Sequence, residues 1–262
     1  MADLFMKQAK QYVGARPTYP PELFKFIASK TPCHDLVWDV GTGSGQAAQS
    51  LACFYKNVVG TDTSIKQLEL APKLPNVRYE RTPPVLSWNE LEQIVSIQSN
   101  LDLVTIAQAL HWFDRRSFYD QVKWVLKKPH GVIAAWCYTE PEVNEAVDAV
   151  FEPFYATTDP FWAPELKLVD DRFSTIDFPF EPVEGTDHTG PFEFVAERFM
   201  NLEEYFTYIK SWSAYQTAQE KGVELLRDEV IESFKRAWNE DGHEQKVARF
   251  PVFLRLGKVG NL

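Results

Sequence analysis

Cysteine is scarce in this chain: three in 262 residues, Cys33, Cys53 and Cys137. An odd count without metal-type spacing argues against a disulfide framework and against a bound metal, and points to a reducing compartment. No apolar run approaches the length that crosses a bilayer, and the opening MADLFMKQAKQYVGARPTYP has no apolar signal core. The expectation is a cytoplasmic protein without membrane contact. Runs of Lys and Arg are also missing, and the formal charge is −10. Gripping a phosphate backbone takes a basic stripe, so nucleic acid is not expected as the partner. Internal repeats and low-complexity linkers are absent too.

What is present is an ordinary globular composition, 45% hydrophobic and 24% charged, at a length that suits one α/β domain. Eight Trp, ten Tyr and nineteen Phe are a generous aromatic load, which fills cores first and lines pockets second. After a short helix over Phe5–Val13 and an extended Arg16–Pro20, the chain alternates. Pro21 suits the first position of a helix. Strands are expected at Leu36–Val40, Asn57–Asp62, around Val77–Tyr79, at Leu101–Ala107 and at Gly131–Tyr138, with helical stretches between them. Strands rich in Val, Ile and Leu, spaced by helices, imply a parallel sheet covered on both faces. Residues 141–186, rich in Pro, Phe and Trp, read as a cap over the functional edge. Leu202–Trp238 is amphipathic, and Val247–Val259 has strand character.

The first strand runs directly into Gly41-Thr42-Gly43-Ser44-Gly45 and then a helix, the arrangement that lets backbone approach a ligand closely. Asp62, at the end of the second strand, is placed to accept hydrogen bonds from both hydroxyls of a ribose; Thr63 follows it. Together these residues indicate a nucleoside-containing cofactor. Two details separate the candidates. Asp39, two residues before the turn, is awkward beside a pyrophosphate but suits the amine-bearing end of S-adenosylmethionine. The Gly-x-Gly-x-Gly spacing also lacks the third glycine position of a dinucleotide loop. A methyl donor is the better reading, with an NAD-dependent oxidoreductase and a non-catalytic S-adenosylmethionine-binding protein as the competitors.

Asp39-Val40-Gly41-Thr42-Gly43-Ser44-Gly45, Asp62, and Ala107-Gln108-Ala109-Leu110-His111-Trp112-Phe113-Asp114 resemble the class I methyltransferases. Tyr12-x-x-x-Arg16-Pro17-x-Tyr19-Pro20 and the Ala-Leu-His-Trp-Phe-Asp run are similar to the trans-aconitate methyltransferase-like group, over roughly residues 5–140. The resemblance implies a Rossmann-like, seven-stranded, mostly parallel sheet with an antiparallel last strand, and S-adenosyl-L-methionine as cofactor. It places Asp39, Gly41, Thr42, Gly43, Gly45 and Asp62 on that cofactor, Ala107 and Gln108 beside its methionine portion, and Tyr12 and Arg16 on a segment closing over it. One departure is Arg81-Thr82-Pro83-Pro84-Val85, where the family often has an acid for the adenine amine. The adenine is therefore expected against backbone and apolar groups around Thr82 and Pro83.

His111 and Trp112 follow the fourth strand, where the methyl group should emerge. His111 is a candidate general base or hydrogen-bonding group; its alternative is bracing the loop. Trp112, Trp136 and Trp162 are candidate acceptor-side residues, and Phe151, Phe154, Tyr155, Phe161 and Phe173 either line the cavity or fill the core beneath the cap. The expected organisation is one domain over 1–262: a cofactor-closing segment (1–20), a cofactor-binding core (21–140), the cap (141–186) and a C-terminal part completing the sheet (187–262). The expected reaction is methyl transfer to a small molecule, first a carboxylate oxygen, then the N or O of an aromatic or amine metabolite, by a monomer or homodimer.

Overall fold

The computed structural model describes residues 16–260. The expected helix over Phe5–Val13, and Tyr12 with it, lie outside the described residues. A seven-stranded sheet organises the rest: β1 (Leu36–Val40), β2 (Asn57–Asp62), β3 (Val77–Arg81), β4 (Leu103–Ala107), β5 (Val132–Tyr138), β6 (Phe192–Met200) and β7 (Lys246–Lys258), in the spatial order β3-β2-β1-β4-β5-β7-β6. The β1–β5 ladders are parallel and β7 runs antiparallel to β5. This is the Rossmann-like architecture expected above, with the last strand reversed.

The sheet forms from these residues because its central strands are apolar on both faces, as a parallel sheet covered by helices requires. Val37, Trp38 and Val40 of β1, Leu103–Ile106 of β4 and all of β5 are buried. The register of β1 against β4 is set at the strands' amino ends by Asp102. Its carboxylate accepts the backbone N–H of Asp35 and Leu36 (2.6 and 2.9 Å) and the Lys127 ammonium (2.6 Å). The carboxyl ends are thereby left to the loops that carry chemistry. Around the sheet lie α1 (Pro21–Ser29, opened by the expected Pro21), α2 (Gln46–Leu51), α3 (Ile65–Glu69, where Ser64 Oγ accepts the Gln67 N–H) and α4 (Arg115–Val125).

Two compact units share the chain. One holds residues 19–139, 168–194 and 252–260, and with them β1–β5 and the end of β7. The other holds 16–18, 140–167 and 195–251. It contains α5 (Glu145–Ala156) and resolves the amphipathic Leu202–Trp238 into three helices, α6 (Leu202–Lys210), α7 (Ser213–Glu220) and α8 (Asp228–Trp238). The Pro- and Phe-rich stretch read as one cap is thus divided. Residues up to 167 group with the helices, and the remainder groups with the sheet. The core of the helical unit is aromatic: Trp212, 2% exposed, meets Phe151, Phe154, Tyr155, Trp162 and Tyr208 at centroid distances between 5.6 and 6.3 Å. Among the described residues no helix is long and apolar enough to cross a membrane.

Candidate active site

The turn after β1 is built from glycines in the left-handed region: Gly41 (φ +63°), Gly43 (+57°) and Gly45 (+78°). Two of them are also sterically enclosed. A Cβ on Gly41 would lie 2.9 Å from that of Ala109, so the loop after β4 packs directly on the turn. A Cβ on Gly45 would overlap the hydroxyl of Tyr79 from β3. Above Gly43 there is open space, with nothing within 4 Å of where a Cβ would stand. The turn is therefore locked from below and bare above, which suits a ligand lying across its backbone.

Asp62 ends β2 beside this turn. One carboxylate oxygen accepts the Gly43 N–H (2.9 Å) and the other the Ser64 N–H (2.8 Å). A carboxylate has about four lone-pair sites, so each oxygen retains one for a ribose hydroxyl. Thr63 and Pro83 are exposed, and Thr82 is buried with its N–H on the Asp62 carbonyl (3.0 Å). Ile65, at the start of α3, is 54% exposed although apolar. It was not singled out in the sequence, although an apolar residue three positions past the strand-end acid could have signalled it. Tyr79 was missed as well: its hydroxyl is buried under the glycine turn without a partner, and burial pushes its pKa up to about 12.

Asp39 lies beneath the turn. It is fully buried, and register places it between Gly60 and Thr105. Its oxygens accept the hydroxyls of Thr42 (2.5 Å) and Thr105 (2.7 Å). It therefore braces the turn from beneath, closed off from solvent. Burial raises its pKa to about 6, against the opposing pull of the two hydroxyls. Thr42, itself buried, also ties the turn to β2 through its N–H on the Thr61 carbonyl (2.9 Å).

Ala107 is half-buried at the end of β4. The next residue, Gln108, adopts φ +51°, a strained backbone for a non-glycine residue of the kind that gathers at functional sites. Its side-chain amide works as an extra peptide unit. Oε1 accepts the Tyr138 N–H (2.8 Å) and Nε2 donates to the Tyr138 carbonyl (3.3 Å), extending the β4–β5 pairing by one rung. Both of its polar atoms are thus engaged with the backbone.

A short turn, Leu110–Trp112, then buries His111 and exposes Trp112 to 54%. Burial alone lowers the pKa of His111 to about 4, so the imidazole is neutral near pH 7; its Nδ1 has no hydrogen-bond partner. Trp112 lies 4.7 Å from it and Phe173 lies 6.5 Å away, centroid to centroid. Trp136, fully buried near the carboxyl end of β5, meets Tyr19 and Phe24 edge-on, and its indole N–H is also unpartnered. Arg16 and Trp162 belong to the helical unit. There Arg16 donates to the Ser211 carbonyl (2.8 Å) and lies over Tyr208, while Trp162 Nε1 donates to Thr158 Oγ1 (2.8 Å).

Residues 38–135 match the family of the methyltransferase domain. Along 98% of its length the chain is 33% identical to a Dictyostelium discoideum protein named as a methyltransferase, 95% of which is covered. The chain belongs to the class I S-adenosylmethionine-dependent methyltransferases. A Saccharomyces cerevisiae protein named as an S-adenosylmethionine-dependent methyltransferase is 26% identical over 79% of each chain. Among solved structures, one described as a type II methyltransferase from Anaeromyxobacter dehalogenans superposes with a TM-score of 0.79 at 28% identity, over 94% of this chain and 99% of that one. The bare turn over Gly43 and the anchored carboxylate of Asp62 fit the methyltransferase cofactor, S-adenosyl-L-methionine.

Proposed function

We propose that this methyltransferase esterifies a carboxylate oxygen of a small-molecule acceptor and falls in the trans-aconitate methyltransferase-like group. The observation that carries the choice of acceptor is His111. An imidazole whose pKa is pushed down to about 4 is a weak proton acceptor at neutral pH, and an amine or phenol nucleophile needs a competent one. A carboxylate needs none, because it is already ionised and nucleophilic. What it needs is orientation.

When bound, S-adenosylmethionine supplies a methyl group on a cationic sulfur and departs as a neutral thioether. The work left to the protein is positioning and exclusion of water, which can contribute up to roughly 7–11 kcal/mol when alignment is ideal. In this reading Gly41, Thr42, Gly43 and Gly45 offer the backbone surface for the cofactor, and Asp62 grips the ribose. Thr63, Thr82 and Pro83, with Ile65, border the adenine. Asp39 keeps the turn rigid, while Ala107 and Gln108 hold the strand end beside the methionine portion. His111 and Trp112 form the mouth on the acceptor side.

Labelled S-adenosylmethionine with panels of carboxylic acids, amines and phenols tests the reading. The expected product is a methyl ester, which mild alkali hydrolyses to labelled methanol. His111→Ala is expected to leave the shape of the pH–rate profile above pH 6 unchanged. An alkali-stable labelled product would overturn the carboxylate assignment.

A further inference from the structure

Between Val169 and β6 the chain of the sheet unit is irregular, and at one point it is sterically disfavoured. Arg172 (φ +58°) and Phe173 (φ +55°) are consecutive non-glycine residues in the left-handed region. Such a pair persists only where surrounding structure over-determines it. The pair is held by the Arg172 N–H on the Val169 carbonyl (2.8 Å), by the Phe173 N–H on the Leu168 carbonyl (2.9 Å), and from the sheet by Arg255 of β7, which is 8% exposed. Its Nη1 donates to the carbonyls of Phe173 (2.9 Å) and Ile176 (3.4 Å). Its Nε donates to the Thr189 carbonyl (3.2 Å) and its Nη2 to Thr189 Oγ1 (3.0 Å), while the guanidinium lies 5.0 Å over the ring of Phe178. A planar, five-donor fork meets oxygens on both sides of the segment at once, which an ammonium cannot do.

The consequence reaches the site through Phe173. Its ring is fully buried and lies 6.5 Å from the imidazole of His111, on which no charged neighbour acts. We infer that Arg255 is a positioning residue for the acceptor site: by bonding the Phe173, Ile176 and Thr189 oxygens it fixes Phe173 as the wall that keeps His111 dry. Loosening the fork lets the Phe173 backbone relax toward an ordinary conformation, and water then reaches the ring. The inference rests on the reading of His111 as facing the acceptor, but its test observes the imidazole and not turnover, so the two can fail separately.

The test is an NMR titration of the His111 ring, its signal assigned by its loss in His111→Gln. It is run on the wild type, Arg255→Gln, Arg255→Lys and Phe173→Leu, with melting temperatures and calorimetry of S-adenosylhomocysteine binding alongside. In the wild type the His111 signal should not titrate above about pH 5, given a pKa near 4. In Arg255→Gln the midpoint should rise by about one unit or more as the ring is rehydrated, with Arg255→Lys intermediate. Affinity for S-adenosylhomocysteine should stay within about threefold, since the fork touches no cofactor residue. A purely structural Arg255 would lower the melting temperature and leave the midpoint in place, and that result overturns the inference. Should Arg255→Gln not fold, Phe173→Leu opens the same wall with every bond of the fork retained, and an unmoved midpoint there is equally fatal.

Discussion

The sheet unit and the helical unit differ in how many of their buried polar atoms find partners. In the sheet unit Trp38 Nε1 donates to Thr61 Oγ1 (2.9 Å), whereas Tyr79 Oη, His111 Nδ1 and Trp136 Nε1 near the glycine turn and the strand ends, and Tyr119 Oη on α4, are buried without a hydrogen-bond partner. In the helical unit, Trp162 donates to Thr158, Trp238 to the Glu244 carbonyl and Tyr215 to Glu224, while Tyr205 Oη is buried without a hydrogen-bond partner. Folding satisfies buried polar groups unless something else does. Three of the unpartnered atoms of the sheet unit gather near the glycine turn and the strand ends, while the aromatic rings of the helical unit pack on one another in its core. Aromatic richness alone, the feature visible in the sequence, does not make that distinction.

The strongest way to break the comparison is at Trp212, around which five aromatic rings gather. Trp212→Ala removes the largest side chain of that core and should cost about 3–5 kcal/mol of unfolding free energy, read from urea midpoints at unchanged m-value. A loss below about 1 kcal/mol would mean that these rings are not a core, and would return them to the list of pocket-lining candidates.

Glycines give the next test, because both units hold them in the left-handed region. Gly222 (φ +72°) has open space where a Cβ would stand, whereas at Gly45 (φ +78°) the Tyr79 hydroxyl occupies that place. Gly222→Ala should cost only the backbone penalty, about 1–2 kcal/mol of stability, with S-adenosylhomocysteine binding intact. Gly45→Ala carries the same penalty and in addition displaces the turn, so binding should weaken at least about thirtyfold, or about 2 kcal/mol. Adding Tyr79→Phe should recover part of that loss, since the hydroxyl is the nearest obstacle. Equal binding in the two single variants would show that the turn does not carry the cofactor.

How much of this was legible in the sequence follows from how local each feature is. The strands β1–β5, the glycine turn and Asp62 are written in contiguous residues, with apolar runs ending in loop signals, and they stand where the pattern puts them. Roles that depend on a neighbouring strand were not legible. The Asp39–Thr105 bond exists only once register sets β1 beside β4, and the Gln108 bonds to Tyr138 only once β5 is in place. The split of the cap at 167 is likewise a matter of long-range packing. The Trp162 bond to Thr158 is local by contrast, spanning four residues of the sequence.

The smallest effect sharpens the account of the turn and its neighbour by pH. Asp39 has a pKa raised from 3.8 to about 6, so between those values the folded state holds a proton that the unfolded state has released. Its contribution to stability therefore falls as pH rises through that window. His111 has a pKa lowered from 6.5 to about 4, so there the unfolded state holds the extra proton and stability rises with pH. Each slope is at most about 1.4 kcal/mol per pH unit, and between roughly pH 4 and 6 the two oppose one another. Exposed carboxylates add a background common to every variant, so the signal lies in difference curves against the wild type. His111→Gln should lose stability relative to the wild type as pH rises from 4 to 6, and Asp39→Asn should gain it. Urea titrations at half-unit pH steps read both curves. A His111→Gln curve that stayed flat or rose would mean that His111 does not carry the lowered pKa assigned to it, and its weak basicity would no longer favour a carboxylate acceptor; a flat or falling Asp39→Asn curve would overturn the Asp39 assignment alone.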